Sequence, residues 1–303
     1  MHDVAIIGGG PAGLQAALTL GRMHRSAALI DSGVYRNAPT SAMHNIVTND
    51  GRPPAAFRAA AREEIASYPT ITSDEGKVVS ITGDLGAFAL ELENGDRVDA
   101  ARVILATGVA DALPDIPGLA DAFGDAVAHC PFCHGHEFSG GRVGIIGAGE
   151  HTPRLVAMLA PIAAETVVLP GDEPVAPEVA GVLARLGAAI RSGRIAEIAQ
   201  EGDGVAARFS DGSSEHFAGM FTSTAWRQAA PFAADLGLAM SDGGAIVVDG
   251  FGRTSRAGVY AAGDIAQPPG LPMPLHAVAA AVASGQLAGA ACVQDLVAEA
   301  LRV

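Results

Sequence analysis

The chain has 303 residues, 49% of them apolar and 17% charged, with a formal net charge of −14. That composition excludes a disordered or fibrous chain and leaves room for two packed domains. Few and scattered basic residues on so acidic a chain exclude nucleic acid as a partner.

The first element is Asp3–Ile7, a short β-branched apolar run that reads as a buried parallel strand. It enters Gly8-Gly9-Gly10-Pro11-Ala12-Gly13, and a helical pattern follows from Leu14 to Leu20. This is Gly-x-Gly-x-x-Gly in its required context, a strand before and a helix after. Gly8, Gly10 and Gly13 permit the tight turn and let the backbone, with Pro11 and Ala12, approach a pyrophosphate at the positive helix end. A second strand, 26–30, ends at Asp31, eighteen residues after Gly13, where a carboxylate accepts bonds from a ribose hydroxyl. A dinucleotide site is therefore expected here.

A long polar connection runs from Tyr35 through His44 to Pro54, and an amphipathic helix is expected over 55–65. Residues 70–98 read as a small β-meander, with turns at Gly83-Asp84, Gly86 and Asn94-Gly95. A further buried strand, Val103 onward, ends in Ala106-Thr107-Gly108. Asp111–Gly118 carries two prolines and marks a domain boundary.

Next comes His129-Cys130-Pro131-Phe132-Cys133-His134-Gly135-His136-Glu137, with two of the three cysteines and three of the nine histidines. A Cys-x-x-Cys pair can bind metal, staple a secreted fold, or cycle between dithiol and disulfide. A structural zinc site normally draws on a second such pair, which is missing, although His134 and His136 could complete one on paper. No secretory signal is evident and the cysteine count is odd, which argues against a staple. Redox cycling is the preferred reading: neighbouring histidines favour the thiolate, and the second thiol can resolve the bond formed by the first. Cys292 lies among alanines of the last helix and reads as a buried small apolar residue.

Arg142–Pro153 repeats the strand–glycine turn–helix plan, with Pro153 taken to stand in the third glycine's place. Its second strand ends in Pro170-Gly171 without the ribose-binding carboxylate and without basic residues for a 2′-phosphate. Both a weak NAD(P)H site and a bare scaffold for the cysteines are compatible with this half. Residues 177–240 alternate helix and strand patterns, with a hairpin turn at Asp211-Gly212, and the chain is expected to return to the first domain near 241–250. Gly258–Asp264 is again a strand ending in Gly263 and a carboxylate, Asp264, for which a helix N-cap is the alternative role. His276 then opens a final apolar helix. The apolar run 277–293 is broken by Ser284, Gly285, Gln286 and Gly289, so no transmembrane helix is expected and a soluble, cytoplasmic protein without membrane contact follows.

Taken together, the Gly8–Gly13 fingerprint with Asp31, Ala106-Thr107-Gly108, the Cys130–Cys133 pair ahead of a second glycine turn, and Ala262-Gly263-Asp264 resemble the low-molecular-weight thioredoxin reductases, over nearly the whole chain. The resemblance implies an α/β fold of two Rossmann-like, three-layer nucleotide-binding domains, the second inserted into the first. It implies a discontinuous FAD domain (1–112 plus 243–303), a central NAD(P)-binding-like domain (113–242) carrying the cysteines, and a homodimer. Cys133 would face the flavin and Cys130 the substrate. Arg36, Asn37, Ala106, Thr107, Gly108, Gly263, Asp264, His276 and Ala277 join the glycine turn as cofactor-binding candidates. The start of the final helix donates free N–H groups and partial positive charge, which suits the electron-rich edge of a reduced flavin.

Two departures shape the expected reaction. The family's paired basic motif for NADPH is missing, and His134 stands where the family carries an aspartate after the second cysteine. The Cys-Pro-Phe-Cys-His-Gly form, with Arg36-Asn37-Ala38-Pro39 upstream, is similar to the branch of dithiol oxidases in gliotoxin- and holomycin-type biosynthesis. The leading expectation is FAD-dependent oxidation of a small-molecule dithiol to an intramolecular disulfide, with molecular oxygen as acceptor. His129, His134 and His276 are the acid–base candidates beside Cys130 and Cys133, and His136 and Glu137 are candidates only to orient the loop. The alternatives are an NAD(P)H-dependent reductase of thioredoxin or a related disulfide, and a non-catalytic flavin- or metal-binding protein.

Overall fold

The computed structural model describes residues 1–302. The chain divides into two compact units, one formed by 1–36, 55–110 and 226–303, the other by 37–54 and 111–225.

In the first unit, β1 (His2–Ile7), α1 (Pro11–Arg22), β2 (Ala27–Asp31), α2 (Pro54–Ala66) and β3 (Ile71–Glu75) form successive strand–helix–strand crossovers. β1 pairs in parallel with β2, and β2 with β3. The expected meander over 70–98 is therefore corrected at its start. Ile71–Glu75 is a parallel strand of the nucleotide-binding sheet, delivered there by the α2 crossover, which an apolar pattern this short could not announce. The antiparallel part is β4 (Val78–Thr82), β5 (Phe88–Leu92) and β6 (Arg97–Leu105), with Gly95 at φ 87° in the turn between the last two. β6 turns back beside β1 in parallel, and Val259–Ala261 adds to its other side.

Strand β2, Val4–Ile7 of β1 and Val103–Leu105 of β6 are buried on both faces, as their runs of Val, Ile, Leu and Ala require. Helix α1 and the final helix, Val278–Ala300, cover one face together with Ala12, Leu14, Leu20, Ile6 and Cys292. They pack closely because the final helix presents small residues: a Cβ on Gly285 would strike the Ala12 carbonyl, and one on Gly289 would sit 3.1 Å from Thr19 Cβ. The other face is filled by Phe88, Leu90, Val103, Phe232, Leu236 and Ile246. Each fully buried side chain of this size contributes roughly 1.5–3 kcal/mol of transfer free energy.

That second core explains a shifted boundary. Return to the first unit was expected near 243, but it occurs at 226, because Phe232–Asp235 is a helix whose Phe232 and Ala233 enter the core with Leu236 and Leu238. The outward crossing falls at 110/111 rather than 112/113.

In the second unit the parallel strands run in the order Ala189–Ile190, Glu165–Leu169, Arg142–Ile146, Gly219–Thr222, Val127–Ala128. A three-stranded antiparallel sheet, Ile195–Glu201, Gly204–Phe209 and Ser214–Phe217, carries the expected hairpin, with Gly212 at φ 86°. The fold class read from the sequence, α/β with two Rossmann-like sheets, is the observed one. Among the described residues no helix is long and apolar enough to cross a membrane.

Candidate functional site

Two constellations hold the expected chemistry, one in each unit. In the first, β1 delivers the glycine turn at the N-terminus of α1. Gly8 sits at φ 109°, and a Cβ there would strike the Ala106 carbonyl oxygen, so only glycine serves. A Cβ on Gly13 would strike the carbonyl of Gly8. Gly10, the N-cap, faces open space: an added Cβ would meet no atom within 4 Å. The turn is thus closed on its protein side and open at the helix start. That is the shape a pyrophosphate needs in order to reach backbone N–H groups, and the residues present fit such a group. Gly108, at φ 69°, ends the neighbouring strand run beyond Ala106 and Thr107.

Asp31 terminates β2, nearly buried. Its Oδ1 accepts the Gly33 N–H at 3.2 Å and has lone-pair capacity for a sugar hydroxyl, while Oδ2 accepts from the Tyr35 hydroxyl and from Arg62. Arg62 also donates to the Tyr35 oxygen at 2.8 Å, and Arg58 lies 3.7 Å over the Tyr35 ring. Burial and the bond to Asp31 push the Tyr35 hydroxyl above its ordinary value, so it stays a donor. Sequence reasoning missed this Tyr35–Arg58–Arg62 surround. Arg58 and Arg62 lie one turn apart on α2, a spacing that could have flagged a shared target.

Arg36 forms an ion pair with Asp264 at 2.9 Å, both side chains largely buried. Asp264 lies in a 3-10 turn, Gly263–Ile265, and the Gly263 N–H is held by Ser284 Oγ at 2.9 Å. Asp264 does not serve as a helix N-cap: Ala262 caps that turn, without a side-chain bond. His276 precedes the helix it was expected to open, since Ala277 is the N-cap and Val278 the first helical residue. Its ring stands edge-on to Trp226, centroids 5.3 Å apart. Trp226, given no role from sequence, is thereby the neighbour of His276. Asn37, expected beside Arg36 in the cofactor site, groups with the second unit, because the chain passes between the two residues.

In the second unit Cys130 and Cys133 are disulfide-bonded, with Cα atoms 5.3 Å apart. Cys130 caps a one-turn helix, Pro131–His134, and its carbonyl accepts the N–H groups of Cys133 (3.1 Å) and His134 (3.2 Å). Proline at the first helical position has the φ that such a turn requires and lacks an N–H that would go unpaired. The turn presents Phe132, 71% exposed, between two half-buried cysteines.

His129 is exposed and stacks on Phe123, centroids 5.8 Å apart. His136 is exposed. His134 is half-buried, and its Nε2 lies 3.3 Å from Thr40 Oγ1. Burial holds His134 below its ordinary value of 6.5. The Gly124 carbonyl, Glu137 and Asp125 oppose that shift, and His44 adds to it. Neutral at pH 7, His134 can accept a proton. Cys292 is buried, as expected, and burial raises its thiol pKa.

The second glycine turn also needs a correction. Counted from Gly147 and Gly149, the third position is Thr152, buried at the start of helix Thr152–Leu159, not Pro153. Among the described residues no group of His, Cys, Asp and Glu side chains is arranged to hold a metal ion.

Residues 2–285 match the pyridine nucleotide-disulphide oxidoreductase family. A relative named thioredoxin reductase tcpT, from Claviceps purpurea (strain 20.1), is 37% identical over 98% of this chain and 95% of its own. Another, thioredoxin reductase sirT from Leptosphaeria maculans, is 35% identical over 95% and 92%. Among solved structures, an oxidoreductase from Agrobacterium tumefaciens superposes with a TM-score of 0.88 at 38% identity, covering 98% of each chain.

Proposed function

The chain belongs to the pyridine nucleotide-disulphide oxidoreductase family, as an FAD-binding thiol–disulfide oxidoreductase, and from that premise we propose that it oxidises a small-molecule dithiol to an intramolecular disulfide. The observation that carries this reading is His134 directly after the second cysteine, neutral and half-buried at the end of the redox turn. A substrate thiolate attacks Cys130 Sγ, the Cys130–Cys133 bond breaks, and Cys133 leaves as thiolate. The second substrate thiol, deprotonated in turn, attacks the sulfur bonded to Cys130. The substrate disulfide closes and Cys130 leaves as thiolate. Two protons leave the substrate and two electrons stay on the cysteine pair. His134 takes a proton in this exchange, with His129 and His276 as the other histidines assigned to proton transfer. When bound, FAD would supply the two-electron acceptor that restores the disulfide, with oxygen as the onward acceptor.

In this proposal Gly8, Gly10, Pro11, Ala12, Gly13 and Asp31 hold the adenosine and pyrophosphate portion. Arg36, Ala106, Thr107, Gly108, Gly263, Asp264, His276 and Ala277 hold the rest. A homodimer in the cytoplasm suits a pair that must reopen at every turnover. Pro170 in the place of the ribose-binding carboxylate directly after Leu169, with no basic pair behind it, supports turnover without NAD(P)H.

The second reading is an NAD(P)H-dependent disulfide reductase, favoured by the names of the relatives, thioredoxin reductases tcpT and sirT. Oxygen uptake with a simple dithiol such as dithiothreitol, set against NADPH oxidation with thioredoxin, separates the two. Dithiol-dependent oxygen uptake without NADPH is expected. NADPH oxidation that depends on thioredoxin, with no dithiol-driven uptake, would overturn the proposal.

A further inference from the structure

The polar connection 37–54 packs within the second unit, and one of its side chains sits directly behind His134. The packing is close: a Cβ on Gly124 would lie 2.7 Å from the Pro39 backbone. Ser41 holds Asp125 Oδ1 through its N–H (2.8 Å) and hydroxyl (3.0 Å). The Thr40 hydroxyl donates to the Ala42 carbonyl at 2.8 Å, which leaves its oxygen to accept from His134 Nε2–H. Met43 and Arg52 bridge the loop's base, with Met43 N–H donating to the Arg52 carbonyl at 3.0 Å. Between them Asn45 and Thr48 take positive φ values of 60° and 69°. A β-branched residue in that region is held there by its surroundings.

The loop carries His44. Its Nδ1 lies 3.6 Å from Asp50 Oδ1, its Nε2 lies 3.5 Å from Glu137 Oε1, and its ring centroid lies 6.3 Å from that of His134. Each ring nitrogen thus faces a carboxylate oxygen. A positive charge on this ring makes a second one on His134 costly, while Glu137 and Asp125 pull the other way.

We propose that His44 is a positioning residue that favours the neutral, proton-accepting form of His134, the residue after Cys133. The inference rests on the dithiol-oxidase reading for its purpose, but its physical content is independent of substrate. The groups that face His134 are Glu137, Asp125, the Gly124 carbonyl and Thr40 besides His44 itself. His129 and His136, on the same stretch, are exposed.

The test is a histidine NMR titration of the oxidised, flavin-loaded protein without substrate, with the His134 resonance assigned by its loss in His134→Asn. In His44→Phe the His134 midpoint is expected to rise on the order of half to one pH unit. In His44→Lys, which places a cation beside His134, it does not rise above the wild-type value. The acid limb of anaerobic flavin reduction by dithiothreitol should move with the midpoint. At a pH below that limb, the His44→Phe rate would be about 3–10-fold lower than wild type. A midpoint that does not move in His44→Phe, or moves equally in both variants, overturns the inference even if the enzyme turns over. Wild-type protein that fails to oxidise dithiols while the midpoint shifts as expected would instead sink the functional reading alone.

Discussion

Gly10 and Gly13 stand three residues apart in the same turn, yet alanine should act on them by different routes. At Gly13 the new methyl runs into the Gly8 carbonyl and reaches Ala106 Cβ at 3.4 Å, so neither the turn nor α1 can keep its place. Overpacking of this kind costs about 1–3 kcal/mol. For a protein of this size that is a fall in Tm of roughly 2–12 °C, and it should appear already in cofactor-free protein. At Gly10 the methyl meets no protein atom within 4 Å, and the backbone, at φ −75° and ψ −178°, is one that any residue adopts. The cost there is the weaker N-cap alone, about 0.5–1 kcal/mol. If the open side of the turn is where the pyrophosphate approaches the backbone, the Gly10 methyl occupies its path. Losing about 1–3 kcal/mol of binding weakens FAD roughly 5–150-fold. Differential scanning fluorimetry of apoprotein, paired with fluorescence titration of FAD, separates the two effects. A Gly10→Ala protein that binds FAD as tightly as the wild type would refute the placement of the cofactor at this helix start.

The remaining expectations are simpler. Cys130→Ser and Cys133→Ser should each keep the flavin, seen in its visible spectrum, and lose dithiol-driven turnover by more than about 10³-fold, since the remaining thiol has no partner to resolve against. Asp295 accepts a bidentate pair from Arg253 (2.8 Å each) and the buried Tyr260 hydroxyl (2.6 Å), fastening the final helix to the sheet. Asp295→Ala strands that hydroxyl and should cost about 1–3 kcal/mol in urea denaturation. The His134 pKa is depressed in the folded protein, so the unfolded chain binds the extra proton first as pH falls. Stability is therefore lost as pH drops through about 6.5 and levels off below the folded value, and His134→Asn should flatten that slope between pH 7 and 5.

The nucleotide-binding plan was legible because its signals are local. A strand, a glycine turn and a helix start lie within a dozen residues, and Asp31 follows at the spacing one crossover dictates. The redox pair was legible for the same reason. What the sequence hid depends on contacts between distant segments. β3 could not be told from a meander strand because its neighbour, β2, is forty residues away. Phe232 and Leu236 fell within 113–242, assigned to the central domain, and nothing local marks them as part of the first core. His44 is ninety residues from His134, in a stretch whose composition says only that it turns. Trp226 had no periodicity to place it, and only its packing against His276 gives it a neighbour. Asp31 was expected to meet a sugar hydroxyl, and the bonds it accepts from Tyr35 and Arg62 were not foreseen.

The most direct test mixes the flavin-loaded protein anaerobically with dithiothreitol in a stopped-flow spectrometer and follows flavin absorbance near 450 nm. Rapid bleaching by the dithiol, recovery on admitting oxygen, and no fast response to NADPH are the expected results. A flavin that bleaches at once with NADPH and ignores the dithiol would contradict the account.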